Sequence, residues 1–433
     1  MKSVRVLALN HTFNQDLDSL RRAAGDEVEF RTLELDLLHT EAMRVLPADI
    51  DDDYSAYSRT EYEPHRRRLA TMLEGLFEDV FREREFDIFV SPSDVFYYLR
   101  PAKAILHRLG VPYFVAERET TISPHIMNEH VDLIGRWFPP IADHRTPCSR
   151  RLRDFWVQAG ADPSTITVTG QPRFDFYRQP ERWPARLPYG DDRPTVLFLS
   201  YEYNTYHPDG TSSGDVWEQQ HHETEAGLWE LARKGWRVLV KPHPQQARSD
   251  RVRLRGELGP LLGKSVFIVH HAADTRELIV GADVVVGFQT TALFEAMVAQ
   301  KPIVYAGWRA KDGRAAEALI PFRQWGDALD IVDDPAQFVP TVERVHGRPY
   351  DERRIEAARG PIEENIGVCD GHAAERTLAA MRECLDRFRA GHTDDVRARR
   401  ARLARMPPPV RLRRRTVYGY KRLRRRAGAL LGR

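Results

Sequence analysis

The chain of 433 residues, 42% of them hydrophobic and 30% charged, has the size and composition of a globular protein with two domains. The net charge is only +2, but the basic side chains cluster near the C-terminus, so the body of the chain is acidic, which argues against a nucleic-acid-binding core. Three dispersed cysteines argue against a disulfide framework or a zinc site, and the apolar runs are too short for a signal peptide or a membrane span.

The first 175 residues alternate between patterns of buried strands and amphipathic helices. Strand patterns in chain order are VRVLALN, EVEFRTLEL, DIFVSPSD, VPYFVAERE and TITVTG. Helical patterns lie at about residues 14–23, 62–84, 126–136 and 149–159, and PAKAILHRLG precedes the fourth strand pattern. This alternation is typical of parallel strands joined by crossover helices, and strands that are apolar on both faces indicate a sheet covered on two sides. We therefore predict a Rossmann-like, doubly wound α/β domain over residues 1–175.

Residues 176–193 are rich in proline and charge, show no hydrophobic period and are predicted to be a linker. The alternation resumes over residues 194–390. Its strand patterns are TVLFLSYEYN, WRVLVKPHP, SVFIVHHAAD, ADVVVGFQ and KPIVYAGW, and its helical patterns lie at about residues 217–234, 275–280, 291–300 and, without a break, 351–388. The sequence thus predicts two doubly wound domains of similar size that face each other across a cleft.

Residues 391–433 are predicted to be a basic tail. From residue 397 onward there are 15 Lys and Arg and no Asp or Glu, which leaves 50 basic and 63 acidic side chains in the rest of the chain. Apolar residues recur among the arginines at three- and four-residue spacing, at Val417, Tyr420, Leu423, Ala427 and Leu430. A helix with this pattern would bind an anionic membrane surface, whereas the glycines among these residues favour a solvated, disordered tail.

Polar residues that follow the strands of the second domain are the candidate ligand contacts, because open α/β sheets bind ligands beyond the carboxyl ends of their strands. These strand ends read SYEYN, KPHP, HHAAD, GFQTT and AGW. In KPHP, Pro242 and Pro244 restrict the backbone on both sides of His243. Protonated His243, with Lys241 nearby, would neutralise a diphosphate leaving group. The alternative is a proline-rich turn whose histidine caps a neighbouring helix.

A second candidate contact lies in GFQTT, where a buried strand ends and a helix begins. Thr290 and Thr291, with the free N–H groups of the helix N-terminus, would form an anion site that requires no metal. Glu295 lies one turn further on the same helix face as Thr291 and would accept hydrogen bonds from ribose hydroxyls. Ordinary capping of the helix by threonine is the alternative.

Four motifs occur in the order VTGQPRFDFY, KPHP, ADVVVGFQTTALFEAMVAQKPIV and DGHAAER. Together they span most of residues 160–380 and resemble the donor half of GT-B transferases, in particular the CDP-glycerol glycerophosphotransferases of teichoic acid synthesis and related capsule polysaccharide transferases. Where that group has SDYSS this chain has GFQTT, so Gln289 replaces a carboxylate while two hydroxyls persist. KPHP followed by the GFQTT motif also resembles capsule transferases that use CMP-linked acidic sugars. UDP-N-acetylglucosamine 2-epimerases share the architecture, but their DSGG element is absent here.

The resemblance implies a metal-independent glycosyltransferase or glycerophosphotransferase with no cofactor other than its nucleotide-activated donor. It would move a sugar or polyol phosphate from a CDP-, CMP- or UDP-linked donor to a cell-surface glycan or its lipid-linked precursor. It would act in the cytoplasm, a reducing compartment, at the inner face of the cell membrane, and no nucleic-acid partner is expected. A nucleotide-sugar epimerase or hydrolase on the same fold is one alternative, and a non-catalytic membrane-associated adaptor is the other.

By this resemblance His243 would contact the donor phosphate and the two threonines would hold the diphosphate. Glu295 would face the ribose or the base, and Arg173 would either add a cation or form a salt bridge with Asp175 or the linker. The full set of donor-binding candidates is Lys241, Arg173, Ser200, Gln289, Thr290, Thr291 and Glu295.

Transfer also requires a base that takes the proton of the acceptor hydroxyl, and this base is expected at a strand end of the first domain. His11, Asp94 and Glu117 follow strands there. We favour His11 and Glu117 as a pair, although either could be a helix cap or a solvated loop residue. The histidine doublets at 221–222 and 270–271 lack a third ligand at a spacing that suits a metal and are interpreted as surface or cleft residues.

Overall fold

The computed structural model of the chain describes residues 3–10, 14–50, 54–118, 123–184, 187, 189, 192–201, 214–243, 248–270, 273–309 and 319–406. The strands are β1 (Val4–Asn10), β2 (Val28–Glu34), β3 (Ile88–Ser91), β4 (Tyr113–Ala116), β5 (His144–Thr146), β6 (Thr195–Leu199), β7 (Arg237–Lys241), β8 (Val266–Ile268), β9 (Val284–Gly287), β10 (Ile303–Ala306) and β11 (Asp330–Val332). The α-helices are α1 (Asn14–Ala24), α2 (Leu35–Ala42), α3 (Glu63–Glu83), α4 (Ala102–Arg108), α5 (Met127–Trp137), α6 (Arg150–Gln158), α7 (Gly214–Arg233), α8 (Arg248–Leu258), α9 (Thr275–Gly281), α10 (Ala292–Val298), α11 (Phe338–Val345), α12 (Glu352–Asn365), α13 (Ala373–Ala390) and α14 (Asp394–Arg405).

The chain divides into two compact units. The first contains the described residues of 1–119, 130–173 and 372–433, and the second contains those of 120–129 and 174–371.

The first unit is built on five parallel strands in the order β2-β1-β3-β4-β5. Side chains alternate between the two faces of each strand. Val6 and Ala8 of β1 therefore pack with residues of α1 and α13, whereas Leu7 and Leu9 pack with residues of α3 and α4 on the opposite face. Because helices cover both faces, the strands are apolar on both sides, as the sequence predicted.

The second unit is built on six parallel strands in the order β11-β10-β9-β6-β7-β8. The chain runs from the central strand β6 outward to β8, crosses back to β9 and continues outward to β11. This reversal creates a topological switch point between β6 and β9, the position at which doubly wound sheets bind ligands. The predicted α/β class with two doubly wound parallel sheets is confirmed.

The long helix predicted over residues 351–388 is instead two helices, α12 and α13. The chain leaves the helical conformation after Asn365 and turns through Gly367 and Gly371, whose φ angles are +82° and +92°. Glycine adopts this left-handed region without the steric cost that a Cβ would impose, so the two glycines allow the break.

Helix α13 packs on the first unit, although the sequence analysis placed residues 194–390 together in the second domain. Leu378, Met381 and Cys384 are buried in the same cluster as Val6 and Phe114. The apolar face of α13 covers one face of the first sheet, and sequence position alone could not show which sheet would receive it.

The predicted linker, residues 176–193, also departs from expectation. Residues Pro172–Arg178 form a 3₁₀ helix, and Phe176, Tyr177 and Leu187 are buried in the core of the second unit. Aromatic side chains bury large apolar areas. The aromatic residues of this proline-rich segment therefore tie it to the second unit.

The start of the predicted basic tail is ordered as α14 on the first unit. Leu403 is only 2% exposed, and the Arg400 guanidinium donates to the backbone oxygens of Leu109 at 3.2 Å and Gly110 at 3.0 Å. The apolar positions predicted between residues 417 and 430 lie outside the described residues. None of the described helices combines the length and hydropathy needed to cross a membrane.

Candidate functional site

The carboxyl ends of β6, β7 and β9 lie level with one another at one edge of the second sheet. Leu199, the last residue of β6, is in register with Lys241 of β7 on one side and with Gly287 of β9 on the other. Neighbouring strands are about 4.8 Å apart, so the backbone segments that leave these strands start within about 10 Å of one another. We call the residues that follow the three strands, namely Ser200, Pro242–His243 and Phe288–Thr291, the switch edge.

Two potential cations lie at the carboxyl end of β7, Lys241 as the last residue of the strand and His243 within the switch edge. His243 is the second residue beyond the strand and is half-buried. Lys241 is only 7% exposed, and burial lowers the pKa of its ammonium group, an effect that the charge of Asp274 partly offsets. Ionisable groups with perturbed pKa values cluster at functional sites. Pro244 lies outside the described residues, so its restriction of His243 stays a prediction.

The β9 end of the switch edge carries the two predicted threonines, both half-buried. The Thr290 Oγ1 accepts a hydrogen bond from the Ala292 N–H at 3.3 Å, whereas Thr291 makes no capping hydrogen bond. Helix capping therefore accounts for one hydroxyl and leaves the other without a capping role. Helix α10 has only seven residues, so its macrodipole is small, and an anion here would depend on side chains as well as on the helix N-terminus.

Gln289 was predicted to bind the donor, but the structure gives its side chain another task. The amide nitrogen donates to the Tyr305 hydroxyl at 2.9 Å and to the Ile320 oxygen at 3.0 Å, and the amide oxygen accepts from the Ile320 N–H at 2.7 Å. The side chain is thereby buried and committed at both ends. These bonds help to hold Gln289 in the left-handed conformation, φ +46°, which costs a non-glycine residue about 1–3 kcal/mol. Through these hydrogen bonds Gln289 holds the backbone of Ile320 beside the switch edge.

Glu295 is 4% exposed and accepts a hydrogen bond from the Tyr177 hydroxyl at 2.6 Å. Burial, reinforced by the Glu295 charge, raises the pKa of Tyr177 far above its usual value, so this phenol stays protonated and donates. A carboxylate has about four lone-pair sites, and Tyr177 uses one of them. The predicted ribose contact of Glu295 stays a prediction, with Tyr177 as a partner that the sequence did not reveal.

Arg173 belongs to the first unit, where it pairs with a buried carboxylate. Its backbone N–H donates to Asp16 at 3.1 Å, and its guanidinium lies 3.5 Å from the same carboxylate and donates to the Arg118 oxygen at 3.2 Å. A salt bridge was the alternative to the predicted donor contact, and the structure supplies one, with Asp16. The donor contact of Arg173 stays a prediction.

The carboxyl edge of the first sheet holds a buried ionic cluster of Asp94, Arg145 and Glu117. The Arg145 guanidinium lies 2.6 Å from an Asp94 oxygen and 3.7 Å from a Glu117 oxygen, and its plane covers the Trp156 ring at 3.9 Å from the centroid. Burial opposes ionisation of Asp94, but the Arg145 charge outweighs it together with hydrogen bonds from the backbone, so that the pKa of Asp94 lies below its usual value.

Of the two residues favoured as the acceptor base, the structure describes Glu117. Glu117 follows β4 and is 3% exposed, with its carboxylate beside Arg145. His11 lies outside the described residues. The role of this pair therefore stays a prediction, and no local pattern in the sequence indicated that Arg145 would lie beside Glu117.

His221 was interpreted as a surface or cleft residue, but it is fully buried and lies against the switch edge. Its Nε2 is 2.9 Å from the Ser200 Oγ. A signal was present in the sequence, because Trp217, Thr224 and Leu228 share its face of α7 at helical spacing and are buried with it. Its neighbour His222 is exposed, and within the described part of the chain no cluster of three His, Cys, Asp or Glu residues suits a metal ion.

Comparison with known proteins adds to this geometry. No protein-family model and no curated protein matches the sequence. The UDP-GlcNAc 2-epimerase from Methanocaldococcus jannaschii superposes with a TM-score of 0.52 at 13% identity, over 88% of this chain and 100% of that chain. The enzyme of the same name from Neisseria meningitidis, bound to UDP-GlcNAc, gives a TM-score of 0.51 at 10% identity, over 88% and 100%.

A teichoic acid enzyme shows a likeness of similar extent. The wall teichoic acid polymerase TagF superposes with a TM-score of 0.50 at 10% identity, over 90% of this chain and 90% of that chain. Identities this low establish the fold and nothing finer. The chain therefore has the GT-B-like fold that these epimerases and the polymerase share.

Proposed function

We propose that the protein is a transferase that moves a sugar or a polyol phosphate from a nucleotide-activated donor to a cell-surface glycan or its lipid-linked precursor. The observation that carries the proposal is the level arrangement of three strand ends, which brings His243, Ser200 and the two threonines to one switch point. Of these side chains, His243 and the two threonines can donate hydrogen bonds or positive charge to phosphate oxygens.

In the proposed reaction an acceptor hydroxyl displaces the nucleotide from its donor. The new bond forms from the acceptor oxygen to the transferred group, and the bond from that group to the nucleotide phosphate breaks, so the phosphate leaves with the electron pair. Negative charge grows on the leaving phosphate, and protonated His243, with Lys241 behind it, stabilises that charge. Thr291 donates to a phosphate oxygen, and Glu295 accepts from the ribose.

On the acceptor side, Glu117 takes the proton of the attacking hydroxyl, alone or with His11. The Arg145 guanidinium lies 3.7 Å from a Glu117 oxygen, and a nearby positive charge favours the ionised carboxylate, which is the form that accepts a proton.

A nucleotide-sugar epimerase is the second candidate, because two of the structures compared above are UDP-GlcNAc 2-epimerases and because the first unit holds buried carboxylates at its strand ends. The two functions differ in products when no acceptor is present. With UDP-GlcNAc alone, an epimerase forms the 2-epimer and a transferase leaves the donor almost unchanged. Analysis of the products by NMR separates the two.

Binding of free nucleotides tests the donor site directly. We expect calorimetric titration to give a 1:1 complex with CDP, CMP or UDP, with a dissociation constant that rises at least tenfold, about 1.4 kcal/mol, in Thr291→Ala combined with His243→Ala. His346 lies at the amino end of β7, away from the switch edge, and serves as a matched control. His346→Ala should bind the nucleotides with the same dissociation constants as the unchanged protein. A non-catalytic adaptor would bind none of the three nucleotides.

We also propose that residues 407–433 hold the enzyme on anionic lipid. The support is their charge, since each Arg or Lys near an anionic surface contributes about 1 kcal/mol of attraction. The full chain is expected to sediment with phosphatidylglycerol vesicles at low salt and to be released at high salt, whereas a chain that ends at residue 406 should stay in solution. Equal sedimentation of both chains would contradict this role of the tail.

A further inference from the structure

A buried chain of polar side chains runs from the switch edge into α7. The Ser200 Oγ lies 2.9 Å from the His221 Nε2, and the His221 Nδ1 lies 3.4 Å from a Glu225 oxygen. The other Glu225 oxygen is 3.0 Å from the Arg253 guanidinium. Ser200, His221 and Glu225 are 3%, 0% and 2% exposed, so solvent does not compete for these contacts.

The order of charges along this row of side chains determines which ring nitrogen of His221 carries the proton. The 3.4 Å contact between Nδ1 and the Glu225 carboxylate is ionic and lacks hydrogen-bond geometry, and the negative charge of the carboxylate favours the proton on Nδ1 over Nε2. A second proton on the ring is disfavoured, because the ring is fully buried and Arg253 already balances the Glu225 charge. Nε2 then has a free electron pair and accepts the hydrogen bond of the Ser200 hydroxyl.

The imidazole is also held in place by its neighbours. The Tyr201 ring meets it edge-on at 4.9 Å between centroids, and the Phe198 ring lies 5.6 Å away. Rings packed in this way cannot turn over without opening the core. The direction of the Ser200–His221 hydrogen bond is thus fixed by packing as well as by charge.

A hydroxyl that donates its only hydrogen to a histidine can offer its ligand nothing but lone pairs. Phosphate oxygens at neutral pH also offer lone pairs, so they cannot bind Ser200 in this state. We infer that Ser200, positioned by His221 and Glu225, accepts a hydrogen bond from a hydroxyl group of the donor and does not contact its phosphates. The inference rests on the proposed function and divides the switch edge into a phosphate side at β7 and β9 and a hydroxyl-reading side at β6.

Two parts of a nucleotide-linked donor carry such hydroxyls, the ribose and the transferred group, and matched ligands distinguish them. We would titrate Ser200→Ala and the unchanged protein with pyrophosphate, CDP and UDP, their 2′-deoxy forms, CDP-glycerol and UDP-GlcNAc. Ser200→Ala is expected to bind pyrophosphate unchanged. It should bind the hydroxyl-bearing ligands about three- to tenfold more weakly, the effect of one neutral hydrogen bond.

The pattern of losses identifies the hydroxyl. A loss for CDP or UDP that disappears with the 2′-deoxy form assigns Ser200 to the ribose 2′-hydroxyl. A loss that persists in both forms assigns it to another ribose hydroxyl. A loss seen only with CDP-glycerol or UDP-GlcNAc assigns it to the transferred group. Ser200→Thr, which keeps the hydroxyl, should restore affinity in each case.

His221→Phe supplies a readout that a purely structural role would not produce. Without Nε2 the Ser200 hydroxyl is free to donate to phosphate, so pyrophosphate affinity should become sensitive to Ser200→Ala in the His221→Phe protein. Glu225→Gln is the second variant if His221→Phe fails to fold, and it should produce the same sensitivity because it weakens the preference for Nδ1–H.

Two outcomes overturn the inference in different ways. If the unchanged protein binds the nucleotides but Ser200→Ala lowers pyrophosphate affinity as much as nucleotide affinity, or lowers neither, the inference fails and the proposed function stands. If the unchanged protein binds none of these ligands, the proposed function and the inference fail together.

Discussion

Replacement of His243 by alanine is expected to lower turnover about 100- to 1,000-fold, the usual effect of removing one group that stabilises charge in a transition state. The thermal midpoint of unfolding should change little, because the ring is half-buried and lies beyond the end of β7. Turnover would be measured as nucleotide release from the donor that titration identifies, and unfolding by circular dichroism of the same preparations.

A matched histidine serves as the control. His346 packs its ring 4.8 Å from Trp236, which precedes β7, so it lies at the amino end of the same strand. His346→Ala should retain turnover and lose a small amount of stability through lost packing. If His243→Ala instead loses activity and thermal stability in parallel, its role is structural and the donor-phosphate assignment is wrong.

Replacement of Arg145 by alanine is expected to destabilise the first unit by about 3–5 kcal/mol, because removing one partner of a buried ion pair leaves an uncompensated charge. Here two carboxylates, Asp94 and Glu117, would lose their guanidinium, and the Trp156 ring would lose the group that covers it. Urea unfolding at neutral pH measures the effect. Arg397→Ala removes an ion pair whose side chains are 64% and 96% exposed, and it should cost at most about 0.5 kcal/mol.

The pH dependence of this destabilisation gives an independent check. In the unchanged protein the pKa of Asp94 is lower folded than unfolded, so its contribution to stability is complete above the ordinary pKa of 3.8 and is lost as the pH falls through the folded value. In Arg145→Ala the positive charge is lost, the Ile141 and Ala142 N–H groups still oppose the effect of burial on Asp94, but the buried carboxylates gain protons more readily. The difference in unfolding free energy between the two proteins should therefore shrink between about pH 7 and pH 5. A difference that is constant over this range would show that lost packing, and not charge, causes the destabilisation.

Much of the fold could be predicted from hydrophobic period, because period depends on local sequence. The pattern VRVLALN became β1 over the same seven residues, and the helix predicted at 62–84 became α3, Glu63–Glu83. Strand β5 was missed because its sequence, His-Arg-Thr, is short and polar. Its residues are nevertheless buried, and other parts of the chain bind some of their polar atoms, with Asp94 beside the Arg145 guanidinium and Thr167 beside the His144 Nε2.

The candidate site was likewise predictable from the sequence only in part. Strand-end position identified Ser200, His243 and the two threonines from the sequence, because the end of an apolar run is visible in one dimension. Strand-end position could not show whether the amide of Gln289 is exposed or hydrogen-bonded to the backbone of Ile320, so Gln289 was predicted to contact the ligand. It also overlooked His221, whose role depends on a helix that lies against another strand end.

The sequence by itself determined the α/β class, the two parallel sheets and the polar residues at the strand ends, because each depends on the order of apolar and polar residues over a few positions. Only the tertiary structure decided that α13 covers the first sheet, that Tyr177 meets Glu295, and that Arg145 joins Asp94 and Glu117. These partners are separated by dozens to hundreds of residues, and their pairing depends on which surfaces pack and which buried charges must be balanced. Packing and charge balance are properties of the folded chain as a whole, so no local pattern specifies them.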